Sequence, residues 1–304
     1  MTNDRTEPRY CGRFAPSPTG PLHFGSLVAA VASYLDARSR GGRWLLRMED
    51  LDKPREQPGA ADAILRTLDR FGLHWDGPVL YQSQRADAYA AALERLRATG
   101  QSFPCGCTRR EIADSALPGP LGPLYPGTCR GGIPPGQAAR AERLRVNAQV
   151  IRFQDRLQPP VHQNLASEVG DFVVSRADGV VAYQLAVVVD DAEQGITDVV
   201  RGSDLLLSTP RQIYLQTLLG FATPGYLHLP VAVNGAGEKL SKQTYAMAVD
   251  DLPVPDVARE ALTFLGQAPP DSSHAADLAA YWTAAAAAWD PHRIPRTRVL
   301  VTRF

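Results

Sequence analysis

Residues 9–49 read RYCGRFAPSPTGPLHFGSLVAAVASYLDARSRGGRWLLRME, and this stretch decides the fold. Residues 9–14 have the look of a short strand. A Pro/Gly-rich turn follows at 15–21. Beyond it Leu27, Val28, Val31 and Leu35 recur at helical spacing. Gly41-Gly42 stops that helix, and residues 44–49 read as a second strand. Residues 60–71 continue with an amphipathic helix (Ile64, Leu68 and Phe71 on one face), and residues 86–98 with another carrying Tyr89, Leu93 and Leu96. Strand, helix, strand, helix predicts a doubly wound α/β fold of Rossmann type around a parallel sheet.

The texture changes at Phe103. Residues 103–136 are rich in Gly, Pro and Cys and have little periodicity, as expected of an insertion held by something other than an apolar core. The α/β pattern resumes near 168. Residues 180–189 read as a buried strand or a strand leading into a helix, and 196–200 as a strand. Thr209 as N-cap and Pro210 at N1 open a helix running to Gly220. After 250 the chain is Ala-rich and expected to be helical. The predicted division is 1–102 and 166–248 as the two halves of a catalytic domain, 103–165 as the insertion, and 249–304 as a small helical C-terminal part.

Composition narrows the function classes. The 304 residues carry 32 basic and 32 acidic side chains, so tail-driven nucleic-acid binding is excluded while a local basic face is not. No run of about 18 apolar residues predicts a membrane span. Residues 1–14 carry acids and no apolar segment of a secretory signal, so a cytoplasmic protein without a membrane partner is expected. The four cysteines are then poor candidates for disulfides. Only Lys53, Lys239 and Lys242 are lysines, against 29 arginines, and two of the three fall within four residues. That placement suits a site needing a compact, mobile point charge rather than a planar fork.

Two stretches look chemical. Between Arg13 and Ser26 a strand ends, a turn follows and a helix begins near His23. A helix N-terminus offers free N–H groups and positive dipole to a phosphate, His23 adds a donor, and Gly25 permits close approach of a nucleotide. The second stretch is Lys239-Leu-Ser-Lys242-Gln243, in a Gly-flanked loop where a lysine can follow charge moving onto a triphosphate. Each alone also reads plainly, as a capped turn and a solvated loop.

Together they resemble the two signatures of class I aminoacyl-tRNA synthetases, His23-Phe-Gly-Ser26 standing for HIGH and Lys239-Leu-Ser-Lys-Gln243 for KMSKS. Ser26 and Gln243 depart from the usual residues. Arg13-Phe-Ala-Pro-Ser-Pro-Thr-Gly, Arg47-Met-Glu-Asp50, Tyr81-Gln-Ser-Gln-Arg85, Phe103-Pro-Cys-Gly-Cys-Thr108 and Val200-Arg-Gly-Ser-Asp204 resemble glutamyl-tRNA synthetases over roughly residues 9–250. Only about 60 residues follow Lys242, too few for anticodon-binding domains. A zinc-bearing catalytic core of this length is similar to the glutamyl-Q tRNA(Asp) synthetase family, which attaches glutamate to queuosine at the wobble position of tRNA(Asp).

That resemblance implies ATP with Mg²⁺, L-glutamate and queuosine-bearing tRNA(Asp) as partners, with a monomer expected. It assigns Arg13 and Arg201 to the glutamate γ-carboxylate, Glu49 to its ammonium, and Ala15, Ser17 and Tyr183 to further contacts. His23 and Lys242 become the catalytic pair, with Gly25 and Lys239 also at ATP. Residues 140–156, with five arginines, are the candidate tRNA face. Cys105-Gly-Cys107 and Cys129 offer three thiolates to one structural Zn²⁺. In the family resembled, a Tyr-x3-Cys tyrosine is the fourth ligand, and Tyr125 fits. The alternatives are a truncated synthetase charging a tRNA 3′ end and a catalytically silent tRNA-binding module. Pyrophosphate exchange with glutamate separates the silent module from both enzymes, and exchange without tRNA favours the queuosine reading.

Overall fold

The computed structural model describes residues 10–115, 117–119, 122–240, 248–271 and 277–302. The first half runs β1 (Cys11–Phe14), α1 (Phe24–Arg38), β2 (Arg43–Met48), α2 (Ala60–Arg70), β3 (Leu80–Tyr81) and α3 (Ala86–Ala98). The middle runs β4 (Ser102–Cys105), α4 (Arg109–Ser115), β5 (Leu117–Gly119), β6 (Gly122–Leu124), β7 (Ala141–Leu144), β8 (Val150–Phe153), β9 (Val161–Asn164), α5 (Leu165–Glu168) and β10 (Phe172–Ser175). The remainder runs α6 (Tyr183–Glu193), β11 (Asp198–Gly202), α7 (Thr209–Leu219), β12 (Gly225–Leu229), β13 (Val231–Val233), α8 (Val254–Phe264), α9 (Leu278–Ala287) and β14 (Val299–Val301).

β1 and β3 flank β2 in a parallel sheet, and β11 pairs in parallel with β12. The two sheets meet where the Thr197 amide donates to the Cys11 carbonyl, at 2.9 Å. β1 and β11 are therefore neighbours whose chains cross over in opposite directions. In such a sheet the crevice at the carboxyl ends of the strands is where ligands sit. Arg13 lies near the end of β1 and Arg201 near the end of β11.

α1 is buried on most of its circumference, because it packs between the sheet and the C-terminal helices α8 and α9. Trp44, wholly buried, stacks on Phe14 and donates its indole N–H to Ser33 of α1. Asp36, also on α1 and fully buried, accepts from Tyr10, from both terminal nitrogens of Arg156 and from the Trp289 indole. One carboxylate thus joins the entry to β1, the chain leaving β8 and the segment after α9.

β4, β7 and β10 form an antiparallel sheet off the parallel core, reaching from Ser102 to Ser175. Its end near the cysteines has a small apolar cluster of its own: Phe103, Cys105, Tyr125 and Cys129. Three local expectations change. Residues 183–189 lie in α6 and no strand precedes them beyond a bridge between Ser175 and Val181. Thr209 is the first residue of α7 rather than its cap, because its hydroxyl turns inward to a buried arginine. The C-terminal part is not purely helical: β14 returns to pair in parallel with β13. Gly220 closes α7 at φ 65°, as its position past the last turn predicts. Among the described residues no helix is long and apolar enough to cross a membrane.

Candidate active site

The strand register places the central residue. Arg201 on β11 is directly opposite His228 on β12, so their side chains share one face of the sheet. Arg201 is 6% exposed. Its Nε donates to His228 Nε2 at 3.1 Å, and its Nη2 to the Thr209 hydroxyl at 2.9 Å and to Gln212 Oε1 at 2.7 Å. All three partners are neutral: burial pushes His228 down to about 4, so it carries no proton charge near pH 7. Among the described residues Arg201 forms no ion pair. A buried guanidinium without a counter-charge is costly, and Nη1, which none of these bonds uses, is the edge left for an incoming anion.

Arg13 differs. Its Nε and Nη2 lie 3.1 and 3.4 Å from the Asp191 carboxylate, which also receives Arg47 Nη2 at 2.5 Å. Arg47 is completely buried and reaches Gln194 as well. Asp191, on α6, stays ionised although burial opposes it, because Arg13 and Arg47 both face it. Arg13 therefore meets a ligand with its charge already shared, whereas Arg201 does not.

Glu49 closes the end of β2, with an 11% exposed side chain. Its carboxylate makes no hydrogen bond among the described residues and lies 3.7 Å from Arg47 Nε. Burial raises it to about 7, against the pull of Arg47 and Arg13. Its amide donates to the Pro16 carbonyl, which brings the Ala15-Pro16-Ser17 turn beside it. Ala15 is half-buried and Ser17 exposed. Tyr183, at the first position of α6, has its phenol raised by burial, and the charges acting on it are those of Arg201, Glu49, Arg13 and Asp191. The charges of Arg13, Glu49 and Arg201, carried on three separate elements, thus converge on Tyr183 of a fourth.

The nucleotide motifs also converge. His23 caps α1, its Nδ1 accepting the Ser26 amide at 3.3 Å while Nε2 lies 3.0 Å from the Ser26 hydroxyl. Ser26, the departure from the usual motif, therefore holds the histidine ring. A Cβ on Gly25 would touch that ring at 3.4 Å and Ala232 at 3.6 Å, so the glycine packs against protein here. Lys239 pairs with Asp204 at 2.6 Å, and Leu240 anchors the loop in the core with its amide on the Ala232 carbonyl. On the other side of the loop Ala248 bridges His23, and the Val249 amide donates to the Leu22 carbonyl. The two flanks of the lysine motif thus bracket the helix start. Lys242 itself lies outside the described residues.

The sulfurs of Cys105, Cys107 and Cys129 lie within 4.8 Å of one another. Cys107 and Cys129 are 3.6 Å apart, and the Tyr125 hydroxyl is 3.4 Å from Cys105 and 3.7 Å from Cys107. A tetrahedral zinc with bonds of about 2.3 Å to sulfur and about 2.0 Å to oxygen needs edges of roughly 3.8 and 3.5 Å. The residues fit such an ion. The Cys129 amide donates to the Tyr125 oxygen at 2.8 Å, and the Arg143 guanidinium lies 4.0 Å over the tyrosine ring while donating to Cys105 sulfur. Both contacts favour an anionic cluster.

Arg143 overturns the expectation of a single basic face over residues 140–156. These residues are strands β7 and β8 with their linkers, and their arginines diverge. Arg143 is buried at the cysteines, Arg156 is bound to Asp36, and Arg145 lies over Phe103; Arg140 and Arg152 remain exposed. Sequence reasoning also missed Asp191, Arg47, Asp155 and His228. An adjacent Asp190-Asp191 pair inside an apolar run was the available signal for the first.

Comparison with known proteins gives a consistent picture. Residues 11–117 and 136–265 match the family of class I tRNA synthetases (E and Q), catalytic domain. The chain is 60% identical over 293 residues to a glutamyl-Q tRNA(Asp) synthetase of Aromatoleum aromaticum, covering 96% of this chain and 93% of that protein. It is 60% identical over 295 residues to the protein of the same name from Dechloromonas aromatica, covering 96% and 98%. Among solved structures, a glutamate tRNA ligase from Elizabethkingia meningosepticum, in complex with its amino acid, superposes with a TM-score of 0.77 at 23% identity. That match covers 95% of this chain and 66% of the ligase, and shows the fold.

Proposed function

The chain belongs to the class I tRNA synthetases of the glutamate and glutamine type, and within them to the glutamyl-Q tRNA(Asp) synthetases, and from that premise we propose how its residues carry out the reaction. It activates L-glutamate with ATP to glutamyl-adenylate and transfers the glutamyl group to queuosine of tRNA(Asp). In the first step the α-carboxylate attacks the α-phosphate of Mg²⁺-ATP and pyrophosphate leaves. No protein nucleophile is needed, so catalysis is positioning and charge stabilisation.

Arg201 takes the γ-carboxylate on its free edge, with Arg13 alongside. Glu49 takes the ammonium, and Tyr183, Ala15 and Ser17 line the site. His23, Gly25, Lys239 and Lys242 hold the triphosphate, Lys239 exchanging Asp204 for phosphate. In the second step a hydroxyl of the queuosine cyclopentenediol attacks the activated carbonyl and AMP leaves. Cys105, Cys107, Tyr125 and Cys129 hold one structural zinc, which when bound ties the insertion together. A cytoplasmic location goes with a tRNA substrate.

The observation that carries this reading is the buried Arg201, which has no ion-pair partner among the described residues and keeps one guanidinium edge unused. The test supplies labelled glutamate and ATP-Mg with tRNA(Asp) carrying either queuosine or guanosine at the wobble position, and in a parallel sample with tRNA(Glu). Label is expected in the anticodon-loop fragment of the queuosine sample only. Label on the 3′ end of tRNA(Glu) instead would make the chain a minimal glutamyl-tRNA synthetase.

Glu49 adds a pH dependence. The free site holds a carboxyl raised to about 7, and the substrate ammonium needs it ionised. Below about pH 7 glutamate binding must first remove that proton, so KM for glutamate should rise about tenfold per pH unit on descending and level off above neutrality. Glu49→Gln should have a high KM that no longer varies across pH 6–8. A slope retained in that variant would assign the titration elsewhere.

A further inference from the structure

We propose that Asp155 and His228 form a buried positioning relay that fixes His228 as a hydrogen-bond acceptor and thereby presents Arg201 to the substrate carboxylate. This rests on Arg201 being the glutamate-binding arginine. Asp155 and His228 are fully buried, and His228 Nδ1 lies 2.6 Å from Asp155 Oδ2. An ionised carboxylate accepts only, so the imidazole proton must sit on Nδ1. Nε2 is then a bare acceptor, which the contact with Arg201 Nε at 3.1 Å requires, since a guanidinium only donates. The other tautomer would set N–H against N–H.

The carboxylate is itself locked in orientation. Asp155 Oδ1 accepts three backbone amides, from Leu157 at 2.9 Å, Gln158 at 2.8 Å and His228 at 3.2 Å. Those bonds leave Oδ2 alone for the ring. Tyr226 stacks on the imidazole, with centroids 5.9 Å apart and planes 14° from parallel, so the ring cannot swing away. The relay also explains how Arg201 keeps its charge available. The Asp155 carboxylate is separated from Arg201 by the imidazole, whereas Arg13 touches Asp191 directly. A substrate carboxylate, rather than the protein, supplies the counter-charge, and an amide analogue cannot.

Asp155→Asn tests the relay with no change of shape. The three backbone amides hold the Asn oxygen, so its NH₂ must face Nδ1, and the proton moves to Nε2 against Arg201. The expected result is a rise of roughly ten- to a hundredfold in KM for glutamate, with KM for ATP within twofold of the parent. His228→Gln, which offers an acceptor without a tautomer, should retain most of the affinity and make Asp155→Asn much less harmful in the double variant. A glutamate KM within twofold of the parent in Asp155→Asn would overturn the relay if Arg201→Lys raises it strongly. If Arg201→Lys leaves it unchanged, the role of Arg201 fails and the relay with it. Should Asp155→Asn not fold, ¹⁵N NMR of the parent protein decides: His228 must carry its proton on Nδ1, and a proton on Nε2 would refute the proposal.

Discussion

Arg201→Ala is expected to abolish measurable glutamate-dependent pyrophosphate exchange, the largest effect of any single substitution in this site. Removing one member of a buried, charge-assisted pair costs about 2–5 kcal/mol. At 1.4 kcal/mol per decade that is roughly 30- to 3,000-fold in kcat/KM for glutamate. The upper part of that range applies, because Arg201 is nearly inaccessible and its bonds to His228, Thr209 and Gln212 hold it still. ATP binding, measured directly, should change little, since the ATP motifs lie on other elements. Arg201→Lys should recover only part, because a lysine cannot bind His228 and Gln212 and still present a planar edge. Near-normal exchange in Arg201→Ala would remove this residue from the glutamate site. Glutamine should remain a poor substrate for the unaltered enzyme, because it leaves the guanidinium unmatched.

The second large effect concerns the metal. Among the described residues, 106–140 are supported by few apolar side chains: the local cluster is Phe103, Cys105, Tyr125 and Cys129 with Cys107 and Ile112 against it. Such a segment needs another source of stability, and the zinc proposed above for Cys105, Cys107, Tyr125 and Cys129 would supply it. Stripping zinc should release about one ion per chain. It should also make residues 106–140 open to limited proteolysis while the parallel sheet survives, since the two have separate cores. Cys129→Ser should behave as the stripped protein does. If the metal-free chain keeps its melting temperature and resists the protease, the cluster is not a structural site. Glutamyl-adenylate formation should persist better than transfer to tRNA, because no cysteine belongs to the glutamate or ATP motifs.

Much of this architecture was legible locally. The strand–turn–helix at 11–38 declares itself through Leu27, Val28, Val31 and Leu35, and Gly220 marks the end of α7, because short-range periodicity and backbone freedom encode such features. The glutamate residues were legible only through resemblance, and their ordering partners were not legible at all. Asp155 and His228 are 73 positions apart, and Arg13 and Asp191 are 178 apart. No local pattern reports which carboxylate meets which cation across such distances. Arg143 failed for another reason. A count of arginines in a run carries no information about the face each one takes, and in strands with linkers the faces alternate. Residues 180–189 stayed open between a strand and a strand leading into a helix because a continuous apolar run suits both, and the structure has a single bridge at Val181 followed by α6.

Asp36 sets how this enzyme can be re-engineered. Its two oxygens gather donors from Tyr10, Arg156 and Trp289, three places far apart along the chain. Shortening the protein ahead of Trp289 would take away one donor and, with β14, the neighbour of β13, so the catalytic half is not a detachable module. Fusions and split-protein designs should spare this keystone and break the chain instead at an exposed turn such as Gly179, a left-handed glycine where an added Cβ would meet nothing within 4 Å.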